Sequence, residues 1–131
     1  MSSLEIVFIS KDEALELHYD SIERFGGSHG LRDEGAFESA LRASENRHYY
    51  ESADLMICAA TYAFHLTQAH AFIDGNKRIG AASALLFLAR NNAELIVTNQ
   101  MLIDLFLKIA AGEMSREEVE QFFLQHVKLK S

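Results

Sequence analysis

The stretch ADLMICAATYAFHLTQAHAFIDGNKRIGAASALLFLAR, residues 53–90, holds two apolar runs of helical spacing joined by one polar loop. In the first run Met56, Ala59, Ala60, Ala63 and Leu66 recur at three- and four-residue steps. They make one buried stripe on a helix from Ala53 to Ala69. The second, Asn76 to about Arg90, is apolar nearly all round through Ile79, Ala82, Leu85, Leu86, Leu88 and Ala89, which puts it in the middle of a bundle. Its small residues Gly80, Ala81, Ala82 and Ser83 allow neighbouring helices to come close. Two helices of this kind need others to cover them, so the chain reads as all-α, a compact bundle of about six helices.

Working outward, Ser10-Lys11-Asp12-Glu13 is a capping box in which the serine and the glutamate satisfy each other's backbone N–H. It opens a helix to about Phe25, stopped by Gly26-Gly27. A second helix is expected from Asp33 to Ser44, with Phe37, Ala40 and Leu41 on one face. The stretch Glu45–Ser52 loses the apolar period and reads as an exposed loop or small hairpin. Its Tyr49 and Tyr50 either grip a protein target or fold one ring back onto the core. Asn91-Asn92 closes the central helix, another runs from Asn99 to Ala111, and Gly112 stops it. Ser115-Arg116-Glu117-Glu118 is a second capping box that starts the last helix. Leu4–Ile9 and Leu95–Val97 are the two segments expected to be extended. With no repeat or linker in 131 residues, one domain over 1–131 is expected.

Composition excludes several functions. A net charge of −7 argues against direct nucleic-acid binding, which draws its affinity from excess Lys and Arg. Any positive field must be local. The single cysteine, Cys58, lies in an apolar helical run and reads as a buried structural thiol. The start Met1-Ser2-Ser3-Leu4-Glu5 lacks the charge and apolar run of a signal peptide, and no run is long enough to span a membrane. A cytoplasmic protein is expected.

The chemistry concentrates in His70-Ala71-Phe72-Ile73-Asp74-Gly75-Asn76-Lys77-Arg78. Gly75 permits a turn at positive φ, and the following helix starts with unpaired N–H groups that favour an anion. Asn76 is a candidate N-cap at the same place, able also to orient a phosphate. Lys77 and Arg78 in a first helical turn oppose the helix dipole, a misfit that an incoming polyphosphate removes. Asp74 suits Mg²⁺, which prefers one carboxylate plus substrate oxygens and water, although Asp before Gly is also ordinary turn chemistry. His70 stands where it can take a proton from an attacking hydroxyl, or is simply a polar helix end. Phe72 is expected to point into the core and anchor the loop. His65 and His70 are five apart and do not make a zinc pair on one helix face, while His18, His29, His48 and His126 read as surface or satisfied residues.

The pattern His70-x-Phe72-x-Asp74-Gly75-Asn76-Lys77-Arg78 resembles the Fic/Doc signature HxFx[DE]GN[GK]R. Gly26-Gly27-Ser28, Gly30-Leu31-Arg32-Asp33-Glu34-Gly35, Glu38-Ser39-Ala40-Leu41 and Ala110-Ala111-Gly112-Glu113 resemble further blocks of the death-on-curing (Doc) branch, so the similarity covers almost the whole chain. It implies a Fic fold and a toxin of a type II toxin–antitoxin pair. Fic adenylyltransferases usually carry glycine where this chain has Lys77 and a second arginine where it has Ala81. The resemblance therefore implies the Doc chemistry: phosphoryl transfer from ATP, with Mg²⁺, to a threonine of elongation factor Tu. Carried over, His70 is catalytic, Asp74 binds the metal, and Gly75, Asn76, Lys77 and Arg78 hold the phosphates. An antitoxin whose disordered segment folds on binding is implied as partner, since no [ST]xxxE[GN] self-inhibitory motif is present. Protein adenylylation and a non-catalytic antitoxin-binding domain are the alternatives.

Overall fold

The computed structural model describes residues 5–130, with six helices and one two-stranded sheet among them. The helices are α1 (Lys11–Phe25), α2 (Glu34–Glu51), α3 (Leu55–Gln68), α4 (Asn76–Arg90), α5 (Asn99–Ala110) and α6 (Arg116–His126). Both capping boxes form, at Ser10 with Glu13 and at Ser115 with Glu118. Each such cap is worth about 1 kcal/mol of helix stability. The all-helical expectation holds, and no described helix is long and apolar enough to cross a membrane.

α3 is the hub: α2, α4, α5 and α6 all pack against it. Its alanines keep its surface low, and Gly80 of α4 uses that closeness. A Cβ on Gly80 would lie 2.2 Å from Thr67 Oγ1 and 3.1 Å from the Ala63 carbonyl. The small-residue face of α4 therefore sets the α3–α4 spacing. Around the pair, Tyr62, Phe37, Phe87 and Phe123 fill the core.

Two expectations need correction, and one gains detail. The segment Glu45–Ser52 is not a loop: α2 continues to Glu51 and turns at Ser52, whose φ is 56°. The buried stripe runs on past Phe37, Ala40 and Leu41, but its later members are polar. Ser44 Oγ donates to the Cys58 carbonyl at 2.8 Å, and Arg47 reaches Thr61 Oγ1 at 3.2 Å and the Glu120 carboxylate. Polar burial hid the period. Of Leu4–Ile9, Leu4 lies outside the described residues and the remainder makes no ladder. Side chains hold it, Val7 N–H donating to Asn91 Oδ1 at 2.8 Å and Ile9 N–H to the Tyr62 hydroxyl at 3.0 Å. Finally, the strand near Leu95–Val97 is β1 at Ala93–Leu95, and it pairs antiparallel with an unexpected β2 at Val127–Leu129, Glu94 opposite Lys128.

Candidate functional site

α3 ends at Gln68, and the chain reverses before α4 by way of two positive φ angles, 49° at His70 and 80° at Gly75. Gly75 is the N-cap of α4 and offers no side-chain cap, so Asn76 is the first helical residue and not the cap. The first amide of α4 to find a backbone acceptor is that of Ile79, on the Gly75 carbonyl at 2.9 Å. The amides of Asn76, Lys77 and Arg78 are left for something else. Three uncapped N–H groups with the positive end of the helix dipole attract an anion.

Asn76 turns its side chain backward: Oδ1 accepts from Phe72 N–H at 3.1 Å and Nδ2 donates to the Phe72 carbonyl at 3.0 Å. Its amide closes the loop, and only its backbone N–H faces the anion position. Phe72 is buried as expected, stacked on His18 with ring centroids 3.8 Å apart and edge-on to Phe37 at 5.2 Å. His18 also places Nε2 2.7 Å from the Asp74 carbonyl, so that nitrogen carries the proton and donates. Burial lowers the His18 pKa, and that agrees with this neutral tautomer. A Cβ at Gly75 would stand 3.4 Å from His18 Nε2.

Outside the loop, the strap Gly26–Asp33 runs alongside it. Ser28 N–H donates to Asp74 Oδ2 at 2.7 Å, Ile73 N–H to the Gly30 carbonyl at 3.1 Å, and Leu31 bridges Phe72. Arg78 sends its guanidinium into the end of α1, donating to the carbonyls of Ser21 and Gly26 at 2.9 Å each. Its charge sits at the negative end of that helix's dipole. Lys77 is exposed and makes no hydrogen bond or ion pair among the described residues.

His70 is exposed at the α3 end of the same loop, with its carbonyl held by Arg32 Nη2 at 2.6 Å. The loop thus brings together an accessible imidazole, a free ammonium, three uncapped amides and a carboxylate with one oxygen unengaged by Ser28. No group of three or more His, Cys, Asp or Glu able to hold a metal exists among the described residues. Asp74 alone fits Mg²⁺ only where phosphate oxygens and water complete the shell.

Tyr49 and Tyr50 are not part of this cluster. α2 begins beside the loop, where Asp33 N–H meets the Ala71 carbonyl, and sixteen residues of helix separate Glu34 from Tyr50. At 1.5 Å per residue that is about 24 Å. Both rings are exposed, Tyr50 at 86%, so neither folds back into the core. Cys58 is buried, its pKa pushed up to about 12 by desolvation, as expected of a structural thiol. A concavity of about 650 Å³ between the amino-terminal segment and the Arg90–Asn92 end of α4 lies at the far end of that helix from the loop. At the candidate site itself His70, Ile73 and Lys77 are exposed, and Asp74, Gly75, Asn76 and Arg78 are half-buried.

Sequence reasoning missed His18, Ser28 and Arg32. His18 had a readable signal, since it falls on the stripe Ala14, His18, Ile22 that α1 buries. Ser28 and Arg32 act on the loop from a segment without regular structure, where no period marks a side chain's direction.

This frame of helices with a histidine, a glycine turn and a cation-bearing helix start is that of a known family. The model of the Fic/DOC family matches residues 8–88, from just before α1 into the last turn of α4, and the chain belongs to that family. It is similar to "Protein kinase doc" of Escherichia phage P1, with 38% identity over 112 residues that span 85% of this chain and 88% of that relative. It stands with the Doc branch of the family.

Proposed function

We propose that the chain is the toxin of a type II toxin–antitoxin pair, and that it transfers the γ-phosphoryl group of ATP to a hydroxyl of a protein target. The proposed acceptor is a threonine of elongation factor Tu, whose modification arrests translation in the cytoplasm. The observation that carries the reading is the exposed His70 held in one short loop with the uncapped start of α4. The relative's name, a protein kinase, favours phosphoryl transfer over adenylylation, as does Ala81 standing where Fic adenylyltransferases carry a second arginine.

In this reading the backbone amides of Asn76, Lys77 and Arg78 and the Lys77 ammonium hold phosphate oxygens, and Gly75 lets the backbone approach them. Arg78 adds its charge from behind while bracing α1 against the loop. His70 accepts the proton of the attacking hydroxyl. Asp74, steadied by Ser28, offers its other oxygen to Mg²⁺, which would supply charge neutralisation between phosphates. The exposure of His70, Ile73 and Lys77 suits a macromolecular acceptor. Restraint comes from an antitoxin with a segment that folds on binding, because no inhibitory motif lies within this chain.

The test is positional labelling. With elongation factor Tu as acceptor, label from the γ position of ATP is expected to reach the protein and label from the α position is not. His70→Ala should lower transfer by about 10²–10⁴-fold, the usual contribution of a general base. Transfer from the α position instead would establish adenylylation; none from either position, to this and other translation proteins, would end the enzymatic reading.

A further inference from the structure

We infer that Arg32 is a positioning residue for His70: its guanidinium clamps the His70 carbonyl and so maintains the left-handed bend that directs the imidazole outward. The inference rests on the catalytic reading of His70, but it concerns a conformation that can be observed without catalysis.

His70 has φ 49°, a left-handed region that only a few per cent of residues other than Gly adopt, Asn, Asp and His more often than the rest. The cost is about 1–2 kcal/mol, so something must hold it there. Three hydrogen bonds run from the strap to this corner. Arg32 N–H and Asp33 N–H both reach the Ala71 carbonyl, at 2.7 and 3.0 Å, and Arg32 Nη2 reaches the His70 carbonyl at 2.6 Å. The backbone pair fixes Ala71. Among the described residues, only the guanidinium hydrogen-bonds to His70 itself.

The carbonyl and the imidazole hang from the same Cα, so relaxing His70 to an ordinary backbone region would swing both. A guanidinium suits the task because it is always charged and donates in a fixed plane. Its bond to the carbonyl is charge-assisted and stronger than a neutral one. Arg32 is exposed and lies thirty-eight residues from His70 in sequence, so it contributes nothing to the core that would otherwise explain its place. Displacing a catalytic group by about 1 Å can cost about 100-fold in rate, which makes a surface arginine consequential here.

The experiment compares the full chain with Arg32→Ala, Arg32→Lys and, as a charge control on the exposed face of α2, Arg42→Ala. In labelled protein, the three-bond coupling between the His70 Hα and the preceding carbonyl carbon, large only at positive φ, reports that angle directly. Wild type and Arg42→Ala should show the left-handed signature, Arg32→Ala should lose it, and Arg32→Lys should keep part of it. In the transfer assay, Arg32→Ala should lower kcat by about 10- to 100-fold with the acceptor KM unchanged. Free guanidinium ion should restore part of that loss. Arg32→Ala protein that retains the His70 signature, or transfers at the wild-type kcat, overturns the inference. If wild type transfers nothing, the proposed function fails while the couplings still decide the role of Arg32. Should Arg32→Ala not fold, the same couplings and kcat in Arg32→Lys decide, and an unaltered pattern there with Arg32→Gln equally unaltered overturns it.

Discussion

Gly75 meets two demands at one position. Its φ of 80° is costly for any residue with a Cβ, and an added Cβ would also press on Ile22 Cδ1 at 3.3 Å and His18 Nε2 at 3.4 Å. Gly75→Ala should therefore destabilise the fold by about 1–2 kcal/mol, read as a lower urea midpoint at unchanged slope. Part of the crowding relaxes if His18 shifts, and that would release the Asp74 carbonyl. Affinity for an anion at α4 should then fall along with stability. An Ala variant as stable as wild type would show that the loop can turn without a left-handed residue there. The glycine and the charged residues after it were legible in the sequence because their types are unusual for a helix start. The side-chain roles of Asn76 and Arg78 were not, because Asn76 folds back onto the Phe72 backbone within the loop and Arg78 reaches far along the chain to Ser21 and Gly26.

Elements were legible where local chemistry alone determined them. The capping boxes at Ser10 and Ser115 and the apolar period of α3 needed no tertiary information. α2 past Ser44 and β2 did need it, since Arg47 is stabilised by Glu120 on α6 and β2 exists only by pairing with β1. The α2–α3–α6 junction has its own consequence. Arg47 pairs with Glu51 at 3.3 Å and with Glu120, which Arg116 also meets at 3.4 Å. The side chains of Arg47 and Glu120 are 14% and 13% exposed. Glu120→Gln leaves two arginines facing each other half-dry and should cost about 2–4 kcal/mol in chemical denaturation. His65 stands at the same junction. Its pKa is lowered by burial first and by Arg116 and Arg47 next, with Glu120 acting oppositely. A histidine with a depressed folded pKa is protonated more readily when unfolded. Stability should therefore be full above about pH 6.5 and fall as pH drops below that, levelling beneath the folded pKa. Thermal melts from pH 7.5 to 5 should show the loss, and His65→Gln should make it shallower. An identical slope in that variant would remove His65 from the acid response.

For the whole molecule, the charge of −7 sharpens what the loop can do, because a ligand as negative as ATP approaches a protein that repels it except at a few points. Lys77 and the start of α4 form such a point, and α4 runs through the middle of the bundle against α3, α1 and α5. An anion bound at its first turn should therefore stabilise the whole fold and not the loop alone. With Mg²⁺–ATP at one hundred times its dissociation constant, the gain is about 2.7 kcal/mol, or a rise in Tm of about 8–14 °C for a chain of this length. His70→Ala should keep that rise, since the imidazole handles a proton and not the phosphates. Lys77→Ala should weaken binding about tenfold and lose about half of the gain. This pair of variants separates binding from chemistry in one measurement. Equal shifts in wild type and Lys77→Ala would place the nucleotide away from α4. A shift abolished by His70→Ala alone would make the imidazole an anchor for the ligand and leave the acceptor hydroxyl without its base.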